Sequence, residues 1–216
     1  MSQNAMYPTP KRALIVIDVQ NDYDGGNLPI EHPPFRDSIA NVARAMEAAG
    51  EAGVKVITVR HRAPQGAPVF AEGTHGAELH EAVETRRRDH HIEKTLPSAF
   101  TGTDLELWLR NNGIDTLTIA GYMTHHCDLS TTLHAAHMGF SVEFLSDATG
   151  TLPYENRAGS ATAEEIHRVV TVVLHAGFAA VLTTDEWIDC LKTGALPERD
   201  NPYASNQRAI AESAAA

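Results

Sequence analysis

Cysteine is scarce in this sequence: Cys127 and Cys190 are the two among 216 residues. Two thiols make no disulfide framework, so the count fits a reducing compartment with at least one thiol kept for chemistry or packing. Basic charge is also short. Lys and Arg number 17 against 28 Asp and Glu, a formal net charge of −11, which is the wrong sign for electrostatic binding to nucleic acid or to an anionic membrane. Long apolar runs are missing too. Ala13–Ile17 and Phe178–Leu182 fall far below the ~20 residues that span a bilayer, and the polar start, Met1–Pro10, lacks the apolar stretch of a secretion signal. The expected location is cytoplasmic. Neither H-E-x-x-H nor G-x-x-x-x-G-K-[ST] occurs, and Gly25–Gly26 is too short to cradle a phosphate. No cofactor is expected.

What is present reads as an ordinary globular chain. Hydrophobic residues make up 43% and charged residues 21%, enough to bury a core within one domain. Short apolar runs at Ala13–Asp18, Val54–Val59, Asp115–Ala120, Ser141–Leu145 and Phe178–Leu182, with a brief extended piece at His91–Lys94, have the pattern of strands buried on both faces. Helical spacing lies between them. Ile39, Val42, Met46 and Ala49 follow a cap at Asp37 or Ser38; Leu105, Trp108 and Leu109 follow Thr103; a further helix covers roughly Asp128–Met138; and Thr162–Glu165 and Thr183–Glu186 are capping boxes. The alternation predicts a doubly wound, mostly parallel α/β sheet of about six strands with helices on both faces. Residues 1–10 read as an extension, 11–192 as the domain, and 193–216 as an arm or disordered tail.

In such sheets ligands bind at the carboxyl ends of strands near the reversal of strand order. That rule selects Asp18, Arg60 and His61, Lys94, and the stretch Gly121–Cys127. Each has a bland alternative: a lone cysteine is more often a small buried hydrophobe, Asp18 could serve a turn, and Lys94 could be a solvated charge. Cys127, however, follows a glycine-containing loop after a buried strand and opens a helix, where N–H groups favour a thiolate. Asp18 and Lys94 are the acid and the cation available to it. Twelve histidines, among them His134 and His137 three apart, invite a metal reading, but without a metal-binding motif they are expected to be surface or core residues.

The segments IVIDVQNDY (Ile15–Tyr23), EKTLPSAFTGTDLELWLRNNGIDTLTIAG (Glu93–Gly121), YMTHHCDLSTTLHAAHMGF (Tyr122–Phe140) and SDAT (Ser146–Thr149) resemble, in order and spacing, the isochorismatase-like cysteine hydrolase superfamily, with the likeness extending over roughly Lys11–Leu191. The resemblance implies a catalytic triad of Asp18, Lys94 and Cys127, a cis peptide between Tyr122 and Met123, and an oxyanion hole from the N–H groups of Met123 and Cys127. It also implies a homo-oligomer, a dimer or tetramer. Isochorismatases proper usually have a non-cysteine residue, often glycine, where Cys127 stands, so the thiol favours amide hydrolysis. Nicotinamidases usually carry a metal-binding Asp and His after strand two, whereas this chain reads Val59, Arg60, His61, Arg62; no metal is therefore expected. HRAP, EGTHGAELH and PSAFTGT are more like the amidase branch with streptothricin hydrolases and N-carbamoyl amide hydrolases. The implied partner is a small-molecule amide, with Tyr23, His61, Phe100, Tyr122 and His126 expected to line its pocket. Enol-ether hydrolysis, or a non-catalytic binding or assembly module, are the alternatives.

Overall fold

Six short buried runs align as one parallel sheet in the computed structural model, which describes residues 9–215. All but the last two residues of the expected extension 1–10 therefore lie outside the described residues. The strands β1 (Arg12–Ile17), β2 (Lys55–His61), β3 (His90–Lys94), β4 (Thr116–Tyr122), β5 (Ser141–Gly150) and β8 (Ala180–Leu182) stand in the order β3-β2-β1-β4-β5-β8. A parallel strand in mid-sheet is covered on both faces, which is why every residue of β1 and β4 is buried. Alternate residues of β1 serve different cores. Leu14 and Val16 face the side of helix α1 (Phe35–Glu51), and Ala13, Ile15 and Ile17 join Leu105, Leu109 and Leu174 on the other.

Strand order reverses between β1 and β4, so their carboxyl ends flank the crevice where such sheets bind ligands. The two strands approach unusually closely there. Gly121 has φ 115°, and a Cβ at that position would stand 2.1 Å from the Ile17 carbonyl oxygen. Only glycine fits beside the residue that precedes Asp18.

Several expected boundaries move. Helix α1 starts at Phe35, so Asp37 sits in its first turn and Ser38 inside it, buried and bonded to the Phe35 carbonyl and the Tyr122 hydroxyl. The helix expected over Asp128–Met138 begins as a wide π turn, Thr124–Asp128, before α4 (Leu129–His137). β5 runs five residues past Leu145 and leads to an unexpected hairpin, β6 (Tyr154–Asn156) and β7 (Gly159–Ala161). Short helices α2 (Glu81–Glu84) and α3 (Leu105–Asn111) flank β3. Both capping boxes form, opening α5 (Ala163–His175) and α6 (Thr184–Thr193). The terminal segment, expected to be an arm or a disordered tail, ends in α7 (Pro202–Ala215). No described helix is long and apolar enough to cross a membrane.

Candidate active site

The carboxyl ends of β1, β3 and β4 bring Asp18, Lys94 and Cys127 together. Asp18 follows β1 with φ 51°, a left-handed conformation that aspartate tolerates better than most residues, and its N–H extends the ladder to Val59. Lys94 closes β3 and reaches across β2. Its Nζ lies 2.6 Å from Asp18 Oδ2, 3.2 Å from Cys127 Sγ and 3.2 Å from His61 Nδ1. Two donors of the ammonium thus meet acceptors, Cys127 Sγ and His61 Nδ1, and its charge faces the Asp18 carboxylate. The contact to Asp18 is an ion pair rather than a directed hydrogen bond, and neither Asp18 oxygen meets a donor in directed geometry among the described residues. Those lone pairs are open to a proton.

Cys127 sits in the turn after β4 and is 4% exposed. The Met123 carbonyl closes that turn by accepting from the His126 and Asp128 N–H groups, and the Tyr122–Met123 peptide is cis. Burial, and next the charge of Asp18, push the Cys127 thiol up, while Lys94 pulls it down without prevailing. The resting sulfur is therefore a thiol, against the sequence-based preference for a thiolate. For Lys94, burial opposes the charge, but Asp18 and then Cys127 outweigh it and the amine is raised.

Asp18, His61 and Cys127 offer ligand atoms within 4.8 Å of one another, a spacing that could hold a metal ion. The Lys94 ammonium already contacts all three. A second cation among them would be repelled at contact distance, so the cluster fits a metal poorly. His134 and His137 do not converge on a site either: His134 bonds Ser98 and His137 lies against Phe178.

Of the residues expected to line the pocket, His61 and His126 stand beside the triad, His126 Nδ1 being 3.6 Å from Cys127 Sγ. Burial, and then Lys94, lower both imidazoles. Tyr23 is buried, and its hydroxyl is raised by burial and then by Asp18 and Cys127. Phe100 packs between His134 and Phe140 in the core cluster that also takes in Cys127. Tyr122 is 0% exposed and its hydroxyl bonds Ser38 on α1, so its ring is held in the core cluster that also contains Tyr23.

Sequence reasoning missed Gln20 and Tyr154 and gave His125, inside the selected stretch, no role of its own. Gln20, fully buried, clamps His61 through both backbone groups and bonds the Ala77 carbonyl; its place two residues after Asp18, just past the end of a buried strand, was the available signal. His125 bonds Thr151, and Tyr154 of the hairpin meets the His125 ring edge-on at 4.7 Å. Nothing local marks Tyr154, because its three-residue strand is too short for a period to show.

Comparison with known proteins agrees with this fold. The Isochorismatase domain model matches residues 12–186. The crystal structure of a Burkholderia xenovorans LB400 protein assigned to the isochorismatases superposes with a TM-score of 0.95 at 61% identity, over 96% of this chain and all of that one. The Bacillus subtilis isochorismatase family protein YrdC is 32% identical over 85% of this chain and 98% of its own length. Streptothricin hydrolase of Streptomyces noursei is 32% identical over 65% of this chain and 50% of its own, and the ureidoacrylate amidohydrolase RutB of Rhizobium rhizogenes 26% identical over 63% and 69%. The chain belongs to the isochorismatase family of hydrolases.

Proposed function

We propose that the protein cleaves the carbon–nitrogen bond of a small-molecule amide through a thioester on Cys127. The observation that carries this reading is Lys94 Nζ bridging Asp18 and Cys127 at 2.6 and 3.2 Å in a water-shielded crevice. Amide-hydrolysing relatives such as the ureidoacrylate amidohydrolase support it.

Because the thiol rests protonated, attack must be coupled to proton transfer. Asp18 takes the thiol proton as Sγ bonds the carboxamide carbon, and Lys94 offsets the negative charge as it moves from carboxylate to sulfur. The developing oxyanion turns to the N–H groups of Cys127 and Met123, each donor contributing about 3–4 kcal/mol in such sites. Collapse of the tetrahedral intermediate breaks the C–N bond, and Asp18 returns its proton to the leaving amine. Water then attacks the thioester, giving its proton to Asp18, and the carboxylic acid leaves as Sγ is reprotonated. Beside the reacting atoms, His61 and His126 are neutral imidazoles able to hydrogen-bond an amide without adding charge.

The test is intact-protein mass spectrometry after acid quench during turnover of a carboxamide panel. An acyl adduct on Cys127, absent from Cys127→Ala, is expected. Undiminished turnover in Cys127→Ala would reject the thioester and favour a reaction that uses Asp18 without the thiol.

A further inference from the structure

A buried acid that takes no part in the chemistry above holds one wall of the crevice. Asp22, in the short turn Asn21–Tyr23 after β1, is 7% exposed, and its Oδ2 accepts from the Phe70 N–H at 2.6 Å. Phe70 lies in the excursion between β2 and β3 at φ 54°, a left-handed conformation rare for a residue whose side chain cannot hydrogen-bond locally. The carboxylate holds it there. Gly76 of the same excursion closes on the other oxygen, where a Cβ would stand 2.2 Å from Oδ1. So fixed, the buried Phe70 ring meets the rings of His61 and Tyr23 at 5.7 and 5.1 Å between centroids. Gln20 grips the His61 backbone at 2.8 and 3.0 Å.

The proton of this imidazole is placed as well. Lys94 Nζ stands 3.2 Å from His61 Nδ1, and an ammonium can only donate, so Nδ1 accepts. A neutral ring that accepts at Nδ1 carries its hydrogen on Nε2. Nε2 meets no partner among the described residues and is not sealed from solvent. His61 thus presents one unspent N–H beside the triad, from a ring steadied by Lys94, Phe70 and Gln20. The charges around it are already matched: Lys94 by Asp18, Arg60 by Glu93, and Arg62 by Glu72 and Glu93. His61 and Phe70 also border a cavity of about 130 Å³, room for a small polar group.

We propose that His61 is a specificity-determining donor, positioned by Asp22 through Phe70, and that the amide carries a second, uncharged hydrogen-bond acceptor a few bonds from its scissile carbonyl. This rests on the thioester reading above, because a substrate seated on Cys127 is what brings its neighbouring group to Nε2. A His61 nitrogen lies within 4.8 Å of Cys127 Sγ, so a second carbonyl close to the first can reach the imidazole while the first is attacked. An analogue without that acceptor leaves the N–H unpaired in a closed site, which such sites reject strongly. A carboxylate gains little, since no unmatched cation stands opposite it.

Paired amides test this: malonamide against butyramide, and succinamide against valeramide, in which methylene and methyl replace the second carbonyl and its amine. Acylation of Cys127, read by mass after acid quench, should be about 100-fold faster for each diamide than for its pair, and no faster for the half-acids malonamate and succinamate. Should no amide of the panel react, para-nitrophenyl esters of the same acyl chains supply the same ratio without depending on the amine. His61→Phe should lose the preference, and His61→Gln, whose Nε2 can donate, should keep most of it. Asp22→Leu should lose it too, and Asp22→Asn, which still offers Phe70 an acceptor, should restore it; if Asp22→Leu does not fold, Phe70→Ala removes the same support. Imidazole nitrogen NMR, with His61 identified by its absence from His61→Gln, should place the hydrogen on Nε2. A hydrogen on Nδ1, a preference kept by His61→Phe, or a half-acid that outruns its diamide would each overturn the proposal. Adducts that form at equal rates within each pair would sink it alone, whereas turnover with no adduct on Cys127 would sink the thioester and this inference with it.

Discussion

The Lys94 ammonium and the Asp18 carboxylate form an ion pair of 2.6 Å in which neither side chain is more than 1% exposed. A buried pair of this kind costs most when only one member is removed, about 3–5 kcal/mol, because the other charge stays stranded. Lys94→Ala should therefore lose stability as well as turnover. Lys94→Met/Asp18→Asn should recover most of that stability while remaining inactive. Equal denaturant midpoints for Lys94→Ala and wild type would show that solvent reaches the pair.

The direction of the Cys127 shift makes Asp18 separable from Lys94. Asp18 raises the thiol and Lys94 lowers it, so Asp18→Asn leaves the ammonium with sulfur as its main anionic partner. The expected result is faster alkylation of Cys127 by iodoacetamide at neutral pH, together with a fall in amide turnover of 10²-fold or more, since the proton carrier is gone. Alkylation slowed by Asp18→Asn would contradict the assigned roles.

A metal requirement is testable on the same grounds. With Lys94 Nζ 2.6–3.2 Å from each of the three candidate ligands, activity should survive exhaustive chelation. Added zinc should inhibit, if it acts at all, by binding the thiolate. Turnover lost on chelation and restored by zinc would mean that the lysine yields its place.

The central sheet was legible because mid-sheet strands are continuous apolar runs, and Asp18, Lys94 and Cys127 because strand ends in an α/β alternation fall at one edge. What was not legible depends on contacts between distant residues. Tyr122 ends a strand beside the nucleophile, yet its ring turns into the core to meet Ser38, 84 positions away. The thiol's resting state is set by burial and then Asp18 outweighing Lys94, and burial at one residue cannot be read from its neighbours in sequence. The terminal helix has too few apolar residues to announce itself, and among the described residues it is exposed along most of its length.

Two glycine substitutions should behave oppositely. Gly121→Ala forces a Cβ within 2.1 Å of the Ile17 carbonyl at φ 115°, so it should destabilise by several kcal/mol, if the protein accumulates at all, and displace Asp18. Gly50 lies in α1 with no atom within 4 Å of an added Cβ. Gly50→Ala should stabilise by about 0.5–1 kcal/mol without altering turnover. Chemical denaturation of the pair would show whether the close approach of β1 and β4 is as intolerant as its geometry demands.

Acid sensitivity should trace in part to His167, which bridges the nucleophile's turn to α5. Burial, and then His32, lower its pKa to about 4 from 6.5. A depressed base binds its proton more readily in the unfolded chain, so its contribution is neutral above pH 6.5 and becomes unfavourable as pH falls towards 4. The limiting slope is about 1.4 kcal/mol per pH unit. His167→Gln should flatten the stability profile between pH 6.5 and 4 relative to wild type. An unchanged profile would mean that the imidazole is already charged in the folded protein.

Tyr154 should control access to the thiol. Its hairpin is exposed at nearly every residue, and the ring, 41% exposed, is steadied edge-on against His125, two positions before Cys127. Burial and then Cys127 raise its hydroxyl. Truncation to Tyr154→Ala removes a wall without touching Asp18, Lys94 or Cys127. A small reagent such as iodoacetamide should therefore alkylate Cys127 at nearly the wild-type rate, while a bulky maleimide should gain several-fold. The ratio of the two rates cancels changes in thiol reactivity and reports steric access alone, whatever the natural amide is. If that ratio is the same in Tyr154→Ala and wild type, the hairpin does not screen the nucleophile and the substrate enters by another side.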